Sequence, residues 1–208
     1  MANNSPRRLF ALITCIIAWA GSILQYYLVV VNAPSHNQTT LVATTRFLGY
    51  FTVLTNLLVA LCLTFVLFSH GKLHRFFSRF SVQTAIAVYI LIVGLGYNLL
   101  LRHLYRMEGL QSLANEVQHV VVPLLFTLYW IFCLPKKKLS WMSFIPWLVY
   151  PFLFLVMALL RGAIDGFYPY PFLDVGKLEL ATVLANAAGL LMMFIFVSLL
   201  FIIIARRR

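Results

Sequence analysis

Three polar side chains stand close together at the start of an otherwise apolar segment. The stretch YFTVLTNLLVA contains Thr52, Thr55 and Asn56, and their spacing of three and four residues places them on one face of a helix. A threonine hydroxyl is a weak nucleophile until a base removes its proton, and histidine is a common base for this purpose. His119, in the stretch NEVQHVVVPLL, supplies such a group. We take Thr52 and His119 as the candidate nucleophile and base.

Other polar residues are predicted to lie at the same depth as this pair. Thr52 is expected about five residues into its helix, ~8 Å below the helix start. His119 is expected in the first turn of its helix, where the positive end of the helix dipole would keep the imidazole neutral. Substrate binding or oxyanion stabilisation is assigned to a wider set of residues. These are Thr55, Asn56, Asn98, Arg102, Asn115 and Tyr170.

Each of these residues also has a purely structural interpretation. A buried threonine often bonds the carbonyl one turn back, and an asparagine in an apolar helix often joins two helices. A metal hydrolase is a rival interpretation, with ligands drawn from His103, Glu116, His119 and Asp165, but these residues lack the HxxxH or HxxxD spacing. We therefore predict neither a metal nor another cofactor. The convergence of polar groups from several helices favours a polar pocket.

The composition predicts the elements that hold these residues. The chain has 208 residues, of which 62% are hydrophobic and only 10% are charged, too few charges to cover a soluble domain of this length. Apolar runs of about 20 residues, each long enough to cross a bilayer, recur along it. We predict an all-α, polytopic membrane protein that forms a single transmembrane domain over residues 1–208. Its six spans are predicted at about 9–31, 47–68, 81–101, 116–134, 144–160 and 180–204.

The net charge of +11 is best explained by membrane topology rather than by nucleic acid. Eleven of the 16 Lys and Arg residues fall at alternate ends of the predicted spans, which by the positive-inside rule makes those ends and both termini cytoplasmic. All five acids map to the other side. We therefore expect a multi-pass protein, in the plasma membrane if the source is bacterial, with a membrane lipid as substrate or ligand and no nucleic-acid partner.

The segment between the last two spans is unusual. The stretch GFYPYPFLDV, residues 166–175, has two prolines and four aromatic rings, and the prolines exclude a continuous helix. The rings have two interpretations, namely an aromatic belt at the membrane interface or a lid over a cavity that opens outward.

Three stretches of the chain form a recognisable set, namely RFLGYFTVLTNLLVA, NEVQHVVVPLLFTLYW and GFYPYPFLDV. Together they resemble a known family, the bacterial six-helix Pr-type integral membrane proteins. That family is similar to the animal androgen-induced and androgen-dependent TFPI-regulating membrane proteins, which are threonine hydrolases. The animal proteins cleave fatty acid esters of hydroxy fatty acids within the bilayer.

The resemblance implies a role for matching residues of this chain. It implies that Thr52 is the nucleophile, that His119 is the base and that Tyr170 begins the family's YPFL element. Thr55 stands where the animal proteins have an acid. The function expected from the sequence is therefore intramembrane hydrolysis of a lipid ester, and the alternative is a lipid or small-molecule transporter or a non-catalytic lipid-binding protein.

Overall fold

The computed structural model describes residues 5–104 and 106–207. Throughout this part of the chain the regular secondary structure is helical. The ten α-helices are α1 (Ser5–Asn32), α2 (Thr40–Phe47), α3 (Phe51–Phe68), α4 (Lys72–Phe77), α5 (Phe80–Gly96), α6 (Gly109–Glu116), α7 (Val122–Leu128), α8 (Phe144–Trp147), α9 (Val149–Asp165) and α10 (Leu180–Arg207).

Within the described residues, six helical units are long and apolar enough to cross a membrane, as the hydropathy predicts. Some of them join several of the helices above through π-helical or 3₁₀ turns. Even the shortest, with 18 residues, spans ~27 Å at 1.5 Å per residue. The units are Pro6–Asn32, Phe51–Phe68, Phe80–Leu104, Gly109–Cys133, Trp141–Asp165 and Leu180–Arg207.

The ends of several units differ from the predicted spans. The second unit begins at Phe51 rather than at residue 47, because the separate helix α2 ends at Phe47 and residues 48–50 connect it to α3 through a turn. Helix α2 has its own start, since the Thr39 hydroxyl accepts a hydrogen bond from the Val42 N–H. The fourth unit begins at Gly109, seven residues before the predicted span.

The fifth unit also extends beyond its predicted end. Helix α9 continues to Asp165, and the helix ends at Gly166, whose φ of 71° is left-handed. The segment that crosses to the sixth unit is therefore shorter than expected and begins at Gly166.

Helix α5 lies at the centre of the bundle, where it packs against α3, α7 and α10. Its buried residues include Ile86, Val88 and Ile90, and the Thr84 hydroxyl accepts a hydrogen bond from Nε1 of the fully buried Trp130. Glycine allows one close approach on this helix, because a Cβ at Gly94 would lie 3.0 Å from Pro123 and 3.3 Å from the His119 carbonyl oxygen. This contact brings the His119 segment against α5.

Candidate functional site

Two cavities meet at the end of the bundle where α3 begins. The first has a volume of about 640 Å³ and lies among α3, α5, α9 and α10, with walls that are almost entirely apolar. Its wall along α5 and the following turn runs from Ile92 to Leu101, which corresponds to ~14 Å at the helical rise. We call it the apolar cavity. Its length and lining suit a hydrocarbon chain.

The second cavity has a volume of about 470 Å³ and a mixed polar lining. It lies under residues 166–175, between α1, α2, α3 and the α6 segment. Side chains with amide, imidazole, guanidinium, phenol or hydroxyl groups face it, and we call it the polar cavity. Those side chains belong to Gln25, Asn32, Gln38, Arg46, Tyr50, Thr52, Tyr97, Gln111, Asn115, Gln118, His119 and Tyr170.

The two cavities share four lining residues, Thr52, Tyr97, Leu101 and Tyr170. The shared wall therefore contains the candidate nucleophile, while the candidate base His119 lines the polar cavity only. A molecule with one apolar part and one polar part could occupy both cavities with its middle against Thr52.

Thr52 is the second residue of α3, so it lies in the first turn of its helix and not five residues into it. The Thr52 N–H, one of the N–H groups that a helix start leaves without an intrahelical acceptor, donates to the Tyr170 hydroxyl at 3.3 Å. The Thr52 Oγ1 lies 3.5 Å from the same hydroxyl. Burial raises the pKa of Tyr170 to about 12, against the opposing effect of its hydrogen bonds with Thr52. Tyr170 is therefore a neutral phenol that can still donate a proton near pH 7.

His119 lies in a π-helical turn, Val117–Val121, in the middle of the fourth unit. Ten residues separate it from the helix start at Gly109, so the predicted effect of a helix N-terminus on the imidazole does not apply. The imidazole stacks on the Tyr97 ring with centroids 3.9 Å apart, and Tyr97 itself begins another π-helical turn. Such turns occur often at functional sites, because they change the direction of side chains within a helix.

The hydrogen bonds of His119 define its tautomer. Its Nδ1 lies 2.9 Å from the Asn115 carbonyl oxygen, which can only accept, so the neutral ring has its proton on Nδ1. Nε2 is then the nitrogen with a free lone pair. Among the described residues no direct hydrogen bond joins His119 to Thr52, and the two face each other only as linings of the polar cavity.

Pro123 explains the positions of two of the predicted asparagines. Pro123 has no N–H. In α-helical pairing this N–H would donate to the His119 carbonyl, and in π-helical pairing it would donate to the Gln118 carbonyl, so both carbonyls lose a donor. Asn98 from the third unit donates to the His119 carbonyl at 3.2 Å, and Asn56 from α3 donates to the Gln118 carbonyl at 3.2 Å. Both amides hold the backbone beside His119, and neither belongs to the lining of the apolar or the polar cavity.

Asn56 also connects the two candidate catalytic segments. Its Nδ2 donates to the Thr52 carbonyl at 2.9 Å in addition to Gln118, and its side chain is fully buried. One amide therefore fixes the start of α3 relative to the π-helical turn that contains His119. A position that joins the backbones of two helical segments is the kind of role that an asparagine in an apolar helix commonly has.

The remaining predicted residues divide between the cavity and its surroundings. Asn115 lines the polar cavity and donates to the Tyr97 hydroxyl at 2.7 Å. Thr55 is fully buried behind the site, 3.0 Å from the Tyr150 hydroxyl. Arg102 lines neither cavity; it pairs with Glu116 at 2.8 Å and bonds Asn98. Thr52, His119, Asn115 and Tyr170 thus come together.

Residues 166–175 contribute to the walls of both cavities, and we call this segment the lid. Phe167, Pro169 and Tyr170 line the polar cavity, and Phe172 and Leu173 line the apolar one. Arg161 fastens this segment, because its guanidinium lies over the Phe167 ring at 4.8 Å while donating to the Thr45 carbonyl and to Asp165.

Sequence reasoning missed Tyr97 and Arg46. Tyr97 looks like one more aromatic residue of an apolar helix, and only the pairing of two π-helical turns places it on His119. No site role is predicted for Arg46 from the sequence, yet it lines the polar cavity. A signal was present in the sequence, since Arg46 is a cation six residues before Thr52 at the end of the bundle that holds the acids.

Comparison of the chain with protein-family models, curated proteins and solved structures finds no match. Within residues 5–104 and 106–207, no three His, Cys, Asp or Glu side chains are grouped closely enough to hold a metal ion. The polar cavity presents hydroxyl, phenol, imidazole, amide and guanidinium groups.

Proposed function

We propose that this protein is an intramembrane hydrolase of lipid esters, with Thr52 as nucleophile and His119 as general base. One observation supports this most strongly: the Thr52 hydroxyl lies on the wall shared by an apolar cavity and a polar cavity lined by His119. An ester bond joins two halves of a lipid, so its carbonyl would lie at such a boundary. The resemblance to the six-helix Pr-type proteins and their animal relatives names the same two residues, and suggests fatty acid esters of hydroxy fatty acids as the substrate class.

The reaction would proceed in two steps through an acyl-enzyme. Thr52 Oγ1 attacks the ester carbonyl carbon as its proton passes to Nε2 of His119, and the tetrahedral intermediate then expels the alcohol, which takes that proton. A water molecule next attacks the acyl-Thr52 ester with His119 again accepting a proton. Collapse of the second intermediate releases the fatty acid and returns the proton to Thr52.

The start of α3 can stabilise the oxyanion that forms in each step. Its first N–H groups are free of intrahelical acceptors and point along the positive end of the helix dipole, a suitable site for developing negative charge. In the structure the Thr52 N–H donates to the Tyr170 hydroxyl oxygen. An oxyanion that accepts from the same N–H would have to displace this phenol oxygen. As a neutral phenol, Tyr170 can also donate to the oxyanion.

A lipid transporter or a non-catalytic lipid-binding protein is the alternative function. The observation that favours it is that Thr52 contacts Tyr170 rather than His119. An enzyme must exchange this contact for one with His119, either directly or through a water molecule, within about 2.6–3.2 Å. A binding protein needs no such exchange.

The proposed function includes a membrane orientation, with both termini cytoplasmic and the site near the outer leaflet. The basic residues at alternate ends of the units support it. A cysteine at Lys137 should react with a membrane-impermeant maleimide only in inverted vesicles, whereas one at Lys177 should react from outside. Unsubstituted protein gives the background from Cys15, Cys62 and Cys133, and the reverse pattern would contradict the orientation.

Covalent labelling tests the chemistry of the site. An alkyl fluorophosphonate should attach to Thr52 in purified protein, because attack at phosphorus resembles attack at an ester carbonyl, and peptide mass spectrometry locates the adduct. His119→Ala should abolish labelling while the protein stays folded by circular dichroism. Thr52→Ser should retain activity toward a long-chain ester, and Thr52→Ala should lose several orders of magnitude, as is typical when a nucleophile is removed.

Two results would contradict the hydrolase. One is full turnover of the ester by Thr52→Ala, and the other is a fluorophosphonate adduct on a residue other than Thr52. If the wild-type protein turns over no ester in detergent but moves a labelled lipid in sealed vesicles, the transporter becomes the better function.

A further inference from the structure

The polar cavity contains one permanent cation and no acid among the described residues that line it. The cation is Arg46, in the last turn of α2, and the other polar lining groups are neutral amides, hydroxyls and phenols together with His119. A guanidinium in a partly enclosed cavity without a carboxylate attracts an anion.

Two arginines approach Phe167, and among the described residues they differ in their hydrogen bonds. Arg161 donates to Thr45 and to Asp165. Arg46 lies over the same ring at 5.2 Å, but its Nε is buried without a hydrogen-bond partner among the described residues. The remaining Asp165 oxygen accepts from the Phe167 N–H, so the nearby acid is already engaged. Buried donors of a charged group are costly to leave unpaired, which points to a missing ligand.

We propose that Arg46 binds the carboxylate of an ester substrate, and that this contact fixes which half of the substrate enters which cavity. The acyl half lies in the apolar cavity, and the alcohol half, which ends in the carboxylate, lies in the polar cavity. This assignment rests on the proposed hydrolase function. It follows from the positions of Arg46 and Thr52, because both line the polar cavity while only Thr52 also lines the apolar one.

A carboxylate suits the cavity better than a phosphate does. One guanidinium pairs with both oxygens of a carboxylate and balances its single charge. A phosphate monoester has a charge near −2 at neutral pH and would leave charge uncompensated, since Arg46 is the only Lys or Arg among the described lining residues. The amides of Gln25, Gln111 and Gln118 supply further donors in the same cavity.

A matched pair of substrates tests the assignment. The substrates are a fatty acyl ester of a hydroxy fatty acid and the methyl ester of the same compound, which lacks the negative charge. Arg46→Gln should lower kcat/KM for the free acid by at least about ten-fold, the usual effect of losing a charge-assisted pair, and should change the methyl ester by less than about two-fold. Arg46→Lys should recover part of the difference.

Arg106→Gln is the control for net charge. Arg106 is exposed and lines neither cavity, so this variant should leave both rates unchanged. Equal loss on both substrates in folded Arg46→Gln, or no loss on either, would overturn the assignment.

A binding measurement separates this assignment from the hydrolase function itself. Calorimetric titration of Thr52→Ala protein with the hydroxy fatty acid needs no turnover, and adding Arg46→Gln should weaken binding about ten-fold. If the wild-type protein hydrolyses neither ester while this difference persists, the hydrolase function fails and the carboxylate site stands. Unchanged binding overturns the site. An alkyl phosphate that binds Arg46-dependently and more tightly than the carboxylate also overturns the choice of carboxylate.

Discussion

Asn56 and Pro123 should be energetically coupled although they lie on different helices. Asn56 donates to the Gln118 carbonyl, whose π-helical donor would be the N–H that Pro123 lacks. Asn56→Ala therefore leaves a buried carbonyl unpaired and removes a second bond, to the Thr52 carbonyl. At about 0.6–1.7 kcal/mol for each interhelical hydrogen bond in membrane proteins, the expected loss is ~1–3 kcal/mol. For a chain of this length it lowers the melting midpoint by roughly 3–10 °C.

Pro123→Ala restores an N–H to the same turn. The alanine keeps the Cβ that packs near Gly94, so the helix contact is retained. In the Asn56→Ala background this N–H can bond the Gln118 or His119 carbonyl, and the second substitution should recover about 1 kcal/mol of the loss. Thermal or denaturant unfolding of the two single variants and the double variant in detergent gives the coupling energy of the cycle.

Asn186 provides the control for this cycle. It makes a comparable bond from its Nδ2 to the Phe172 carbonyl, at 3.0 Å, on the far side of the apolar cavity. Asn186→Ala should destabilise the protein without any coupling to Pro123→Ala. If the Asn56 and Pro123 substitutions are additive within about 0.3 kcal/mol, Asn56 does not replace the donor missing at Pro123 and the argument is wrong.

Three further predictions concern the lid and the imidazole. A Cβ at Gly162 would lie 2.0 Å from the Tyr168 ring, so Gly162→Ala should speed proteolysis or amide exchange of residues 166–175. A Cβ at Gly189 would meet nothing within 4 Å, so Gly189→Ala should leave that segment protected. Folding raises the Tyr170 pKa to about 12, so the native state keeps a proton that the unfolded chain loses above about pH 10. The free energy of unfolding therefore falls as the pH rises from about 10 to 12. Tyr170→Phe should show a smaller fall in alkaline melting curves. Tyr97→Phe retains the ring that stacks on His119 and should keep most fluorophosphonate labelling, whereas Tyr97→Leu should slow it markedly, and equal rates would exclude a role for the stack.

The long helical units could be predicted from the sequence because uninterrupted apolar runs depend on composition alone. Their ends could not, since a short helix such as α2 depends on local polar contacts. Thr39 starts α2 with a hydroxyl cap in a stretch that composition describes only as a loop. Nor could the sequence predict the role of Gly162, which lies within α9, where the absent Cβ makes room for the Tyr168 ring.

The candidate site was predictable to the extent that polar groups in apolar helices must find partners. This requirement brought Thr52, Asn115 and His119 into one region, and they do line one cavity. It could not separate cavity-lining groups from those that satisfy the backbone, as Asn56 and Asn98 do. The distinction depends on which carbonyls lack donors, and Pro123 gives that information only once the neighbouring helices are known.

The three polar residues at the start of α3 therefore have three different roles. Thr55 pairs with Tyr150 on α9, Asn56 supports the turn that holds His119, and only Thr52 faces both cavities. The first two contacts connect α3 to the elements on either side of the site, so the position of the Thr52 hydroxyl is fixed by its neighbours one turn away. The proposed catalysis by Thr52 requires its contact with Tyr170 to open, and Tyr170 belongs to the segment between the last two units and not to a membrane-spanning helix. A site with a rigid nucleophile under a separable phenol can open for a lipid without disturbing the bundle.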